Sequence, residues 1–194
     1  MSNDEPLPVE FDELLAAEFD YIAQTAAQAT EDRARVSSFY LIAVGSLIAA
    51  MFGTQLLGMT SLPAAINLMF SGLFLLLTLL GTSTIMQLAR LRAAWYESML
   101  AMNQLKDYMI GENQPLAKAF RWQSSTLPPK YRTSSVSYYQ AMEVALISGL
   151  MLGASMFFLV HAFFLVGIAH WIAFTIVGVL TMYFQLSTYR RILK

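Results

Sequence analysis

The chain has 194 residues, of which 57% are hydrophobic and only 13% charged, and its mean hydropathy is positive. Soluble domains carry about 25% charged residues, so this composition excludes an ordinary water-soluble fold and specifies an integral membrane protein. A formal net charge of −1 and the absence of cysteine give no basic balance pointing to nucleic acid and exclude disulfides, thiolate metal sites and a cysteine nucleophile.

Residues Met1 to Pro8 are polar and twice interrupted by proline. They read as a disordered lead and not as a signal peptide, because no apolar core comes after them. An amphipathic helix is predicted over 9–35, where Phe11, Leu15, Phe19 and Ile22 recur on one face. Its first turns carry Glu10, Asp12 and Glu13, which favour the positive end of the helix dipole. After Arg33 and Arg35 an uncharged run gives a first span at 36–59. Within it Gly45, Ala49 and Gly53 form a ridge of small residues, which lets another helix backbone approach closely in lipid.

Thr60-Ser61-Leu62-Pro63 makes a short turn, with Pro63 tolerated in the first turn of the next helix. The chain is organised around that next helix. Its uncharged part, a second span at 62–89, passes with no Pro or Gly between Thr82 and Ile110 into an amphipathic extension at 90–111. Leu91, Trp95, Met102 and Leu105 make the apolar face of that extension, with Arg92, Glu97, Asn103 and Asp107 between them. One helix of about 48 residues is about 70 Å long, more than twice a hydrocarbon core of about 30 Å. In the second span Asn67, Ser71, Thr78 and Thr82 fall within about 60° of one another at about 100° per residue. Such a polar stripe either bonds to neighbouring helices or lines a water-filled path.

The segment 112–134 is polar, basic and proline-containing, with a short helix expected over Leu116 to Trp122 that docks Phe120 and Trp122 on nearby helices. Ser134 and Ser135 supply N-cap chemistry for a helix that becomes the third span, 135–163 with its short polar start. Ala145, Gly149 and Gly153 form a second small-residue ridge there. Gly167 and Ile168 fall in a second short turn, a fourth span covers 169–189, and residues 190–194 are a basic tail.

These elements specify an all-α, integral membrane four-helix protein made of two helical hairpins. The N-terminal helix and the extension of the second span leave one membrane surface in opposite chain directions, and each needs a partner for its apolar face. They are therefore expected to form an antiparallel stalk. Counting equally from Arg35 and Arg90 sets Asp20 level with about Lys106 and Asp32 level with about Arg92, while Glu18 then faces Asp107. Lys and Arg lie before the first span, between the second and third and after the fourth, which places both termini and the central segment in the cytoplasm of a plasma or bacterial inner membrane. Glu143, at the inner start of the third span, lies at the depth of Arg33, Arg90 and Arg92. A border ion pair is expected there, acting as a structural clamp or as a gate latch.

Chemistry is sparse. His161 and His170 lie beside one short turn with no further ligand near them in sequence, so they read as interfacial polar residues. No metal, cofactor or catalytic constellation is expected, and the chain reads as non-enzymatic. No charge lies deep in a span, which disfavours ion-coupled transport. Two readings stay open. In one, copies of the chain assemble into a pore-forming or membrane-perturbing effector controlled by the cytosolic helices. In the other, the spans anchor a scaffold or accessory subunit that binds a cytosolic protein through the stalk and the basic segment. The expected partners are thus the lipid bilayer, further copies of the chain or a cytosolic protein. In layout alone the chain resembles small bacterial membrane proteins with cytosolic helical extensions, among them proposed pore-forming effectors of antiviral defence; the resemblance carries over to no residue.

Overall fold

A computed structural model of the chain describes residues 11–56, 63–112, 114–118, 120 and 122–194. The expected lead at 1–8, the helix start at 9–10, the end of the first span at 57–59, the turn residues Thr60, Ser61 and Leu62, and Arg121 lie outside the described residues, as does the side chain of Phe11.

Two long helices carry the architecture. Helix α1 runs from Phe11 to Leu56 and α2 from Ala64 to Glu112, 46 and 49 residues without interruption. Each is about 70 Å long at about 1.5 Å per residue. Neither contains an internal proline, and their charged and apolar halves join with no glycine at the junction, so nothing breaks the backbone ladder there. Helices α3, Val136–His161, and α4, Ile168–Leu193, have 26 residues each. All four helices contain stretches long and apolar enough to cross a membrane. Ser135 starts α3 by accepting a hydrogen bond from the Tyr138 amide at 3.2 Å. Before α4, the Gly167 amide donates to His170 Nδ1 at 3.1 Å.

Helix α2 touches all three others, α3 and α4 pack on each other, and α1 lies along α2 with only a local meeting with α3. Among the described residues the backbones of α1 and α4 do not approach closely, and these two helices come near each other only through side chains. The core at this junction combines Tyr40 and Val44 of α1, Phe70, Phe74, Ile85 and Leu88 of α2, Val144 and Ala145 of α3, and Tyr189 of α4. Large apolar residues such as Leu75, Leu79, Leu150, Ile176 and Leu180 face outward, an apolar surface of the kind that suits hydrocarbon.

The contacts between α1 and α2 occur in opposite chain order. Lys106 lies 5.8 Å from the Phe19 ring centroid, Ile22 and Ala101 line one groove, and a Cβ added at Gly81 would sit 2.9 Å from the Tyr40 hydroxyl. The pairing of α1 with α2 continues from the apolar halves into the polar ones, and this polar paired length is the stalk.

In the central segment the described residues form two short 3-10 helices, Gln114–Lys118, which covers the first part of the expected helix, and Ser124–Thr126, which follows it. Phe120 lines a groove with Leu15, Phe19 and Met109, and Trp122 is 57% exposed.

Candidate functional site

The polar stripe of α2 meets polar groups of two other helices. Ser155 Oγ donates to the Ser71 carbonyl at 2.9 Å, and the two serine hydroxyls are 3.3 Å apart. One and a half to two turns along, Ser148 Oγ donates to the Thr78 carbonyl at 3.2 Å, and Thr82 Oγ1 donates to the same carbonyl at 3.0 Å. The amide of Gln185 in α4 closes the set, donating to Thr82 Oγ1 at 2.8 Å and to Ser148 Oγ at 2.7 Å. Both protons of that amide are used, and both hydroxyls pass their own proton to Thr78. Gln185 and Ser148 have no exposed surface. Asn67 is buried farther along the same stripe. Ser71, Thr78 and Thr82 are therefore bonded across the α2–α3–α4 junction, the arrangement that an apolar surrounding rewards most, since an unmade hydrogen bond there has no water to replace it. Gln185 is not legible as a member of this set from sequence; its one signal is that it is the only amide side chain in α4.

The two small-residue ridges have different surroundings. A Cβ at Gly149 would lie 2.5 Å from the Gly178 carbonyl oxygen, and one at Gly153 would lie 3.2 Å from that of Phe174. Ala145 is buried in the core. In contrast Gly45, Ala49 and Gly53 are exposed, and a Cβ at either glycine would meet nothing within 4 Å. The expected helix contact on this ridge is not made among the described residues. Past Val44, α1 turns this face away from α2, and the spacing of small residues sets no partner by itself.

The border ion pair is also replaced. Glu143 is exposed, and the ion pairs among the described residues are Arg35 with Asp32 at 3.2 Å and Lys130 with Glu97 at 3.4 Å. Six residues from Ser137, Glu143 is rotated by about 240° on α3, which turns it away from the face that meets α1 and α2. Arg33 donates through Nη1 to Ser137 Oγ. Arg92, 7% exposed, donates through Nε to the Lys130 carbonyl at 3.4 Å, and its guanidinium lies 4.3 Å from the Trp95 ring centroid. Arg90 is exposed. The level pairing of Asp32 with Arg92 is likewise absent, because Asp32 turns to Arg35 on its own helix.

On the stalk, Leu15, Phe19 and Ile22 of α1 share two grooves with Leu105 of α2. Met102, Leu91 and Trp95 are half-buried along the same helix. Residues that read as solvated in sequence hold the central segment as a strap along α2. Asp107 Oδ2 accepts from the Ser124 amide at 3.3 Å, the buried Asn103 amide donates to the Gln123 carbonyl at 3.4 Å, and Arg92 reaches Lys130 at the foot. Positions 92, 103 and 107 fall within about 60° on a helix, one face for one strap. The histidines sit apart, His161 stacked on Phe157 with 5.5 Å between centroids and His170 bonded to Gly167.

No protein-family model, curated protein or solved structure matches the chain.

Proposed function

We propose that the protein is a non-enzymatic, multi-pass membrane scaffold, with four spans in two hairpins that anchor an antiparallel helical stalk, and that the stalk binds a cytosolic protein. The observation that carries this reading is where large apolar side chains stay exposed away from the membrane-length segments. The polar stripe of α2 is bonded within the chain, so the membrane part needs no aqueous path to explain it. The stalk, outside the apolar segments, leaves Leu14 57%, Tyr21 66% and Tyr108 48% exposed. Tyr108 lines a groove of about 420 Å³ with Leu15, Glu18, Ile22, Ala101, Gln104 and Leu105. Leu14 and Tyr21 lie about one turn on either side of Glu18, bordering the same groove. An amphipathic helix laid along it would cover these side chains with an i, i+3, i+4 set of its own.

The distribution of Lys and Arg supports a cytoplasmic stalk. Reporter fusions after Lys194 and at Ser124 check it, and an external signal from either rejects it. A photo-crosslinking residue at Tyr21, in cells, tests the docking. An adduct with a polypeptide other than this chain is expected; no adduct, or only an adduct of two copies, overturns the scaffold reading.

A second reading rests on a separate observation. The unpartnered ridge Gly45, Ala49 and Gly53 supports association of spans between copies, as an oligomeric pore-forming or membrane-perturbing assembly requires. Chemical cross-linking of the protein in native membranes separates the two: a ladder lost in Gly45→Leu favours assembly, and a single monomer band removes it.

A further inference from the structure

The foot of the stalk gathers positive charge that no carboxylate among the described residues pairs with. Arg33 comes from α1 and Arg92 from α2, and each lies within electrostatic reach of the other and of the Tyr189 hydroxyl of α4. Ser137, the second residue of α3, accepts from Arg33 Nη1 and lies within interaction range of Tyr189. All four helices thus meet at these side chains. Desolvation by burial lowers the basicity of both guanidiniums, and for Arg92 the neighbouring Arg33 acts in the same direction. Arginine nevertheless keeps its proton in proteins, so both remain cations.

Their partners are neutral. Arg92 Nε has a backbone carbonyl, and Arg33 has a serine hydroxyl, while Arg33 Nε is buried with no acceptor among the described residues. Neither forms an ion pair with a carboxylate among the described residues, and Glu143 lies on another face of α3. The start of α3 adds the positive end of a 26-residue helix dipole to the same place. Burying two like charges together without an anion is unfavourable, and it is the arrangement that an anion with several acceptor oxygens relieves. Planar guanidinium forks suit phosphate oxygens in particular, and hydroxyls such as those of Ser137 and Tyr189 complete such a cradle. The place lies where the apolar segments give way to the polar stalk, the level at which lipid phosphates lie. Arg33 keeps accessible surface, whereas Arg92, Ser137 and Tyr189 are buried.

We propose that Arg33, Arg92, Ser137 and Tyr189 form a binding site for an anionic phosphate group, carried by an anionic lipid headgroup or by a soluble phosphate ester. The site does not depend on whether the stalk docks a protein. Its occupant joins α1 to α3, which otherwise meet only locally, and so fixes the stalk on the bundle.

The test uses the full chain purified in a non-ionic detergent, with thermal unfolding followed on adding phosphatidylglycerol, phosphatidylcholine or inorganic phosphate. The midpoint is expected to rise by several degrees with phosphatidylglycerol or with inorganic phosphate, and not with phosphatidylcholine. A rise with the lipid alone assigns the headgroup as the source, and a rise with inorganic phosphate assigns a soluble ester. Arg33→Gln should abolish the rise, and Arg90→Gln, the same charge change at an exposed arginine, should keep it. A wild type that responds to neither anion, a response equal for phosphatidylcholine, or a rise retained in Arg33→Gln overturns the site. If Arg33→Gln does not fold, native mass spectrometry of the wild type decides: an anionic lipid or phosphate adduct that survives where phosphatidylcholine is stripped upholds it, and no preferential adduct overturns it.

Discussion

Gly149 of α3 and Gly178 of α4 face one another so closely that a Cβ on the first would sit 2.5 Å from the carbonyl oxygen of the second. The obstruction is backbone, which does not swing aside as a flexible side chain does. Lipid supplies no hydrophobic drive between helices, so close backbone approach is what holds these two together. Gly149→Leu is therefore expected to destabilise the bundle by about 1–3 kcal/mol or more, as overpacking does. Gly45→Leu, open on its side of α1, is expected to leave the melting temperature of monomeric protein in detergent unchanged. Equal losses in the two variants would contradict the assignment of one ridge as packed and the other as open.

A smaller effect is expected at Gln185, despite its complete burial. Removing its amide takes away two hydrogen bonds, but Thr82 and Ser148 keep the Thr78 carbonyl as acceptor for their own protons. Gln185 Oε1 has no partner to lose. Gln185→Met, close in volume, should cost about 1 kcal/mol or less, near the usual worth of interhelical hydrogen bonds in membrane proteins. A loss comparable to that of Gly149→Leu, by thermal unfolding in detergent, would show that the amide does more than close the set.

The stalk register is testable because the chain has no cysteine. Phe19 beneath Lys106, continued in opposite directions, sets Ala23 level with Met102. Cysteines at Ala23 and Met102 are expected to cross-link within one chain, and cysteines at Ala23 and Met109, about 10 Å farther along α2 at about 1.5 Å per residue, are not. The reverse result would displace the register by two turns. Ile22 is 7% exposed in the same seam, and Ile22→Ala should destabilise by about 2–5 kcal/mol if its surroundings do not collapse.

Much of this layout is written in the sequence because hydrocarbon tolerates so few side chains. Uncharged runs reveal the four apolar segments, and the apolar face of residues 90–111 reveals that α2 continues past them. Single-residue outcomes are less legible, for reasons that differ from place to place. Gly45 and Gly149 sit in similar motifs, but only Gly149 has a glycine opposite, and a motif does not state its partner. Glu143 and Arg33 share a depth along the bundle without sharing a direction around it, since rotation about each helix is set by packing. The strap was hidden because Arg92, Asn103 and Asp107 look like a solvated face until an irregular segment is laid on them. Gln185 shows the converse: one amide among apolar neighbours carries no periodicity, and its meaning appears only when Thr82 and Ser148 arrive from other helices.

Efflux from liposomes tests most directly whether the spans serve as an anchor, with the polar stripe of α2 spent inside the chain. Purified protein, reconstituted in vesicles loaded with potassium or a small fluorescent anion, is expected to leak no faster than protein-free vesicles. Ser71→Ala and Thr78→Val should not change that. A conductance that appears with the protein and shifts in size or selectivity with Ser71→Ala or Thr78→Val would place the stripe on a water-filled path and contradict the anchor.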